Sequence, residues 1–123
     1  MILVDTSIWI DHLRNGDATL TELLEQRRVV AHPFVTGELS LGSLRQREIV
    51  LSSLQELPQA EVARDDEVLH FIAHKALFGL RIGYIDAHLL ASVQLTPGTS
   101  IWTRDKRLLA AAERLSLAAT IIH

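Results

Sequence analysis

The ten residues MILVDTSIWI (1–10) place a short apolar run directly before three polar residues and a second apolar stretch. The first run has the length and composition of a buried strand. Asp5, Thr6 and Ser7 are residue types that commonly begin helices, and apolar residues follow them at helical spacing. The segment therefore predicts a strand that ends at an aspartate, followed by a turn and a helix.

The same alternation of strands and helices continues along the chain. Further strands are predicted at 29–31, 100–103 and 119–122, with a weaker one at 61–63, and helices at 19–25, 33–44, 46–54, 65–77, 86–93 and 105–115. A capping box from Thr19 to Glu22 should begin the second helix, and Gly79 should follow the helix that starts at Asp65. Strands separated by helices form parallel β-α units, so the predicted fold class is α/β: a three-layer α/β/α sandwich with a central, mostly parallel sheet. Residues 1–123 contain no long linker or internal repeat and are expected to form a single domain.

The composition narrows the possible functions. The chain has no cysteine, which excludes disulfides, thiolate metal sites and a cysteine nucleophile. The N-terminal apolar run meets Asp5 too soon for a signal peptide or a membrane span, so a cytoplasmic protein is expected. A net charge of −3 gives no overall attraction to nucleic acid, and a polyanionic substrate would need a local basic rim or bridging cations.

Four acidic residues lie close to predicted strand ends or helix starts: Asp5, Glu38, Asp86 and Asp105. Ligands of open parallel sheets gather at the carboxyl ends of the strands, so these side chains are expected to face one crevice. Two carboxylates about 6 Å apart repel by roughly 3 kcal/mol at an effective dielectric constant near 20, and a hard divalent cation, Mg²⁺ or Mn²⁺, would offset that repulsion. Taken singly, each aspartate is also a plausible helix N-cap, and Glu38 is also a plausible solvated helix position.

A cation held by these acids points to phosphodiester hydrolysis. It could bind a phosphate oxygen, lower the pKa of a coordinated water and offset charge on the leaving oxygen. Thr6, Ser7 and Thr103 could hydrogen-bond the carboxylates or a bound phosphate, although each is also an ordinary cap or turn residue. Four basic side chains could form the local rim or an ordinary solvated face: Arg81, Arg104, Lys106 and Arg107.

The polar residues near the four acids occur in a characteristic order. The motifs are Asp5-Thr6-Ser7, Glu38-Leu39, Tyr84-Ile85-Asp86-Ala87 and Trp102-Thr103-Arg104-Asp105. The set resembles the PIN-domain nucleases, and most closely the VapC-like toxins of bacterial toxin-antitoxin pairs. The resemblance covers essentially the whole chain, and four acids in this order are more specific than any one motif.

The resemblance implies a PIN-like fold and an endoribonuclease activity that depends on Mg²⁺ or Mn²⁺. It also implies a homodimer, and inhibition by a VapB-like antitoxin that often supplies a basic side chain to the acidic pocket. Carried over by motif, the catalytic quartet would be Asp5, Glu38, Asp86 and Asp105. Asp5, Asp86 and Asp105 would bind the metal, with Asp105 acting directly or through water, and Glu38 would position metal or water.

Two other functions are compatible with an acidic site in a small α/β protein. A DNA-directed or structure-specific nuclease would use the same acids, and the sequence shows no clear reader of the 2′-hydroxyl. A phosphoacceptor signalling module also binds Mg²⁺, but such modules usually have adjacent acids after the first strand and a lysine after the last. Here Asp5 is followed by Thr6, and residues 119–123 contain no lysine, whereas adjacent acids occur at Asp65 and Asp66.

Several histidines and tryptophans also attract interest. His70 and His74 are four apart, but the segment lacks the glutamate of a zinc-protease motif, so a structural role is expected. His88, two residues after Asp86, should point away from it on a helix. Trp9 and Trp102 could stack on bases if they were exposed, but both lie in apolar runs and are expected to be buried.

Overall fold

A computed structural model describes residues 1–121 of the chain. Within that range the elements are, in order, β1 (Ile2–Val4), α1 (Thr6–Asn15), α2 (Ala18–Glu25), β2 (Val29–Val30), α3 (Pro33–Ser40), α4 (Arg47–Glu56), α5 (Asp65–His74), α6 (Tyr84–Leu95), β3 (Ser100–Trp102) and α7 (Lys106–Arg114). None of the helices in this part of the chain combines the length and the hydrophobicity needed to cross a membrane.

The strands found in residues 1–121 form a parallel sheet in the order β2-β1-β3. The central strand β1 pairs Leu3 with Val30 of β2 and Val4 with Trp102 of β3. Helix α6 packs against β3, and the helices pack on one another: α1 against α3, α3 against α4, and α5 against α6. The predicted α/β sandwich with a parallel sheet is confirmed.

The core is built mainly from aliphatic side chains. Its largest fully buried apolar residues are Leu3, Ile8, Leu20, Leu89, Leu90, Ile101 and Leu108. Helix α6 is buried continuously from residue 87 to residue 93, as expected for a helix that is apolar on most of its surface. Trp9 and Trp102 are only 5% and 6% exposed, which confirms the prediction that both are buried.

The capping box predicted from Thr19 to Glu22 is wrong. Helix α2 begins at Ala18, because the side chain of Asp17 accepts a hydrogen bond from the amide of Leu20. An aspartate is as good an N-cap as a threonine or better, so the helix starts one residue earlier than its sequence pattern indicated.

Two predicted helices end early. Helix α3 ends at Ser40, short of residue 44, in a turn where the amide of Gly42 donates to the carbonyl of Leu39. Helix α5 ends at His74 and not near residue 77, because Ala76 takes a left-handed conformation with φ of 52°. Gly79, the predicted helix end, lies beyond that reversal.

The weak strand predicted at 61–63 is also wrong. The partner of Ala31 is Gln59, and the hydrogen bonds are made by the flanking Pro58 carbonyl and Ala60 amide, each at 2.8 Å. The pairing residues thus lie just before the predicted segment. The strand predicted at 119–122 is reduced to a parallel bridge between Ala118 and Ile101, and its residue 122 lies outside the described residues.

Candidate active site

The carboxyl ends of β1 and β3 place Asp5 and Thr103 side by side. Because Val4 pairs with Trp102, the next residue on each strand lies at the same edge of the sheet. The Thr103 hydroxyl donates to Asp5 Oδ2 at 2.7 Å, and the Ser7 hydroxyl donates to the same oxygen at 2.9 Å. Asp5 and Thr103 are both buried, so this carboxylate is held firmly at the strand end.

Thr103 also connects Asp5 to Asp105. The amide of Asp105 donates to the Thr103 hydroxyl oxygen at 3.0 Å. Asp105 caps α7, since its Oδ1 accepts from the amides of Arg107 at 2.9 Å and Leu108 at 3.0 Å. The exposed Asp105 carboxylate is therefore fixed by the first turn of the helix that follows it.

Glu38 and Asp86 come to the site from two helices. Glu38, on α3, is exposed, and its Oε1 accepts from the hydroxyl of Thr6 at 2.9 Å. Asp86 is half-buried at the third position of α6, and its Oδ2 accepts from the amide of Gly83 at 3.2 Å. In this way α1, α3 and α6 each contribute a group to the edge at which β1 ends.

The four carboxylates share one feature: one oxygen is oriented by hydrogen bonds while the other is left available. The oxygens that accept no hydrogen bond from residues 1–121 are Asp5 Oδ1, Glu38 Oε2, Asp86 Oδ1 and Asp105 Oδ2. Carboxylates oriented in this way by neighbouring groups are typical of ligands that await a cation or a water.

The charges of the other three acids act on Asp86. Burial raises the pKa of the Asp86 carboxyl, and the charges of Asp5, Asp105 and Glu38 raise it further, while the hydrogen bond from Gly83 lowers it. Each ionised neighbour disfavours a further negative charge on Asp86. Asp86 thus interacts with all three other acids.

The residue types of this set suit a divalent cation, but the spacing of the side chains does not yet form a site for one. Carboxylate oxygens are the ligands that Mg²⁺ and Mn²⁺ prefer. However, no three acidic or histidine side chains among the described residues are placed closely enough to hold one ion as they stand. Coordination of one ion by three of these acids would therefore require some of their side chains to move.

The basic residues predicted to form a rim differ in their surroundings. The Arg104 guanidinium contacts Asp11 and lies 2.8 Å from Asp17, so its charge is locally neutralised. Arg81 is exposed in the connection that leads into α6 and makes no hydrogen bond or ion pair with the described residues. Lys106 and Arg107 are exposed at the start of α7.

A second cluster beside α6 was not assigned any role from the sequence. His88 Nε2 lies 3.0 Å from Asp65 Oδ1, and the Tyr84 hydroxyl donates to the same oxygen at 3.0 Å. His88 is buried, and its Nδ1 has no hydrogen-bond partner in the part of the chain that the structure describes. The sequence indicates only that Tyr84 and His88, four residues apart, share one face of a helix. It does not indicate that both contact Asp65, which lies 19 residues before Tyr84.

His32 was also missed. His32 is fully buried. Its Nδ1 accepts a hydrogen bond from the amide of Phe34 at 3.0 Å, and its Nε2 lies 2.9 Å from the hydroxyl oxygen of Ser92. Burial lowers its pKa to about 4, and the charge of His88 contributes in the same direction. His32 therefore joins the end of β2 to α3 and α6 as a neutral imidazole.

The histidine pair at His70 and His74 lies on the surface of α5. The two rings are nearly parallel, with centroids 5.7 Å apart, and both side chains are exposed. No acidic or histidine side chain within residues 1–121 completes a metal site around them.

The arrangement of the site agrees with a family match. The model of the PIN domain matches residues 2–114. Because this match covers most of the chain, the chain belongs to the PIN-domain family. Nucleases of this family generally use divalent metal ions.

The chain is also similar to named members of that family. It is 50% identical over 118 residues to the protein named Ribonuclease VapC32 of Mycobacterium tuberculosis, which covers 96% of this chain and 95% of the relative. The similarity is the same for the protein of that name in strain CDC 1551 / Oshkosh and in strain ATCC 25618 / H37Rv. The resemblance to VapC-like PIN domains found in the sequence is confirmed.

Proposed function

We propose that this chain is a metal-dependent endoribonuclease and the toxin of a toxin-antitoxin pair. The observation that best supports the proposal is that the charges of Asp5, Asp105 and Glu38 all act on Asp86, while one oxygen of each of the four carboxylates is held by hydrogen bonds. The relatives named Ribonuclease VapC32 support RNA as the substrate.

We assign separate roles to the acidic residues. Asp5, Asp86 and Asp105 would hold Mg²⁺ or Mn²⁺, and Glu38 would orient the metal or a water through its unbonded oxygen. The bound cation would supply Lewis-acid activation of water and of the phosphodiester. Thr103, Ser7 and Thr6 keep the carboxylates in place through the hydroxyl groups that donate to them.

The biological setting follows from the same proposal. The partner would be a VapB-like antitoxin that places a basic side chain against the acidic pocket, where four carboxylates favour a cation. We further propose that the chain acts as a single nuclease domain, as a homodimer, in the cytoplasm.

The proposal is tested by incubating the purified protein with RNA and DNA of matched sequence, with Mg²⁺, with Mn²⁺ and with EDTA. We expect cleavage of RNA that requires the metal. Asp5→Asn and Asp86→Asn should each reduce the cleavage rate about 100-fold or more, because loss of a supporting group alone costs about 10- to 100-fold at metal sites.

Asp66→Asn serves as the matched control. Asp66 is an exposed acid that pairs with Arg64, and its substitution should leave the cleavage rate unchanged. Cleavage of DNA alone would contradict the ribonuclease assignment. Full activity of Asp5→Asn would contradict the assignment of the site.

A further inference from the structure

An exposed aromatic ring begins the helix that carries Asp86. Trp9 and Trp102, the residues whose type suggested base stacking, are both buried, whereas Tyr84 is 45% exposed. Tyr84 is the first residue of α6, and Asp86 is the third. It is also the only tyrosine in the chain.

The Tyr84 ring is held in a defined position. Its hydroxyl donates to Asp65 Oδ1 at 3.0 Å, and its ring meets that of His88 edge to face, with centroids 4.9 Å apart and an interplanar angle of 90°. His88 in turn lies 3.0 Å from the same Asp65 oxygen. A ring that is already fixed loses little conformational freedom when a ligand binds it.

Positive charge contributes little to RNA binding near the acidic residues. The chain carries a net charge of −3, and Arg104 is shared between Asp11 and Asp17. Stacking on a neutral ring does not depend on phosphate attraction, and it tolerates any base. An acidic nuclease site therefore gains from an exposed aromatic side chain at its rim.

Arg81 lies three residues before this ring. It is exposed and has a left-handed backbone conformation with φ of 61°, which arginine adopts only at a cost. Arg27, Ala76 and Ser116, which share this conformation, closely follow the last turns of α2, α5 and α7, and Gln46, which also shares it, directly precedes α4. Arg81 lies between Leu80 and Ile82, in the connection that leads into α6.

We propose that Tyr84 stacks on a base of the RNA next to the scissile phosphate, and that Arg81 contacts an adjacent backbone phosphate. This inference rests on the proposed ribonuclease function. Residues two apart on a helix point to nearly opposite sides, and a helix with its side chains is about 10 Å wide. The ring therefore suits a neighbouring nucleotide and not the one whose bond is cut at Asp86.

The test uses the Asp5→Asn protein, so that RNA stays intact, and measures the binding of a fluorescein-labelled single-stranded RNA by anisotropy in the presence of Mg²⁺. We expect Tyr84→Ala to weaken binding about 5- to 150-fold, the range found for loss of one stacked base. Tyr84→Phe should bind within about twofold of the parent because it keeps the ring face. Phe78→Ala, which removes a residue that is 69% exposed, is the control and should bind like the parent.

Two further readouts separate stacking from a structural effect. RNA that carries 2-aminopurine at successive positions should lose fluorescence at one position when bound, and Tyr84→Ala should abolish that loss. Arg81→Gly should weaken binding and reduce the slope of log affinity against log salt concentration by about 0.7, the value for one phosphate contact on a single strand. Tyr84→Ala should leave that slope unchanged.

The binding measurements test the role of Tyr84 independently of the cleavage assay. Binding of Tyr84→Ala within twofold of the parent would overturn the stacking role. An equal loss of binding in Tyr84→Phe would also overturn it, because the hydroxyl would then be the cause. An equal loss in Phe78→Ala would overturn it as well, because general hydrophobicity would then be the cause. Failure of the wild-type protein to cleave RNA would contradict the proposed function, whereas normal cleavage with unaffected Tyr84→Ala binding would contradict this inference alone.

Discussion

At the scale of single residues, hydroxyl groups decide how the acids of the site are presented. Thr103 is the most connected of them, because it donates to Asp5 and accepts from the amide of Asp105. Ser7 adds a second donor to the same Asp5 oxygen, and its hydroxyl oxygen accepts from the amide of Arg104 at 3.2 Å. These short side chains fix the carboxylates without placing a positive charge in the site.

Replacing Thr103 with valine tests this role. The change keeps the shape of the side chain but removes the bond to Asp5 and leaves the Asp105 amide without its acceptor. We expect metal affinity or cleavage to fall about 10- to 100-fold and the free energy of unfolding to fall by about 1–3 kcal/mol. Thr99→Val is the control, because Thr99 precedes β3 at the end opposite to Thr103 and its hydroxyl donates to the carbonyl of Pro97; an equal effect there would contradict the assignment.

Replacing Asp86 with asparagine tests the crowding of the carboxylates. In EDTA at pH 7.5 the variant should be more stable than the wild type by about 1 kcal/mol or more, because charge pairs near a protein surface interact on that scale. Urea unfolding measures the difference. At saturating Mn²⁺ the order should reverse, since the metal stabilises only the protein that binds it. Lower stability of Asp86→Asn in EDTA would contradict strong repulsion at Asp86.

At the scale of elements, the starts of helices carry most of the site. Asp105 caps α7, and Asp86 lies in the first turn of α6, where its Oδ2 accepts from the amide of Gly83. A carboxylate at these positions serves the helix and the site at once, because the exposed amides and the helix dipole favour negative charge there. The N-cap interpretation of Asp105 and its functional interpretation are therefore compatible.

Two substitutions of Asp105 separate its structural and chemical roles. Asp105→Ala should lower the free energy of unfolding by about 1 kcal/mol, because it removes the cap bonds to Arg107 and Leu108. Asp105→Asn should keep that stability within a few tenths of a kcal/mol, since asparagine caps helices as well as aspartate does. Both variants should lose cleavage. Retained activity in Asp105→Asn would show that the residue acts only as a cap.

Local sequence patterns predicted the elements where a single strong signal was present. The strand before Asp5 and the helices that follow Pro33 and Asp105 were found because an apolar run or a helix-starting residue marks each one. Helix ends were predicted less well. The early end of α5 depends on the left-handed Ala76, a conformation that its sequence does not indicate.

The site itself was predictable only in part. The sequence proposes the four acids because Asp5 and Asp105 lie near strand ends, Asp86 and Glu38 lie in or near the first turns of helices, and all four occur in a characteristic order. The cluster of Tyr84, Asp65 and His88 was not predictable, because its contacts join α5 to α6 through side-chain geometry. The neutralisation of Arg104 by Asp11 and Asp17 likewise depends on α1 and the start of α2 lying beside residue 104.

At the scale of the whole molecule, buried imidazoles link the layers. His32 joins the end of β2 to Ser92 on α6, and Phe34 lies between His32 and His88, with ring centroids 5.1 Å and 4.6 Å away. Protonation of His32 would place a charge in the core. The interior therefore favours the neutral form, as the pKa of about 4 shows.

This linkage predicts a loss of stability in acid. The pKa of His32 is lowered from 6.5 to about 4 on folding, so the unfolded chain binds more protons between those pH values. Stability should be fully present above pH 6.5 and should fall as the pH is lowered towards 4, by about 3 kcal/mol in total from this residue. Urea unfolding at several pH values between 8 and 4 measures the slope.

His32→Asn provides the comparison for this slope. Asparagine keeps an acceptor for the amide of Phe34 at the start of α3 but does not titrate. The free energy of unfolding of the variant should change less between pH 6.5 and 4 than that of the wild type, whatever its absolute value. Identical slopes in the two proteins would show that His32 is not the group responsible.

The position of β3 at the edge of β1 has a consequence during synthesis. Asp5 emerges from the ribosome early, but its neighbour Thr103 and the cap of α7 are translated almost a hundred residues later, since 98 positions separate the two side chains. A nascent chain cannot close this pairing until that late segment has left the exit tunnel. The arrangement of Asp5, Thr103 and Asp105 at the end of β1 is therefore completed only after nearly all of residues 1–121 have been translated.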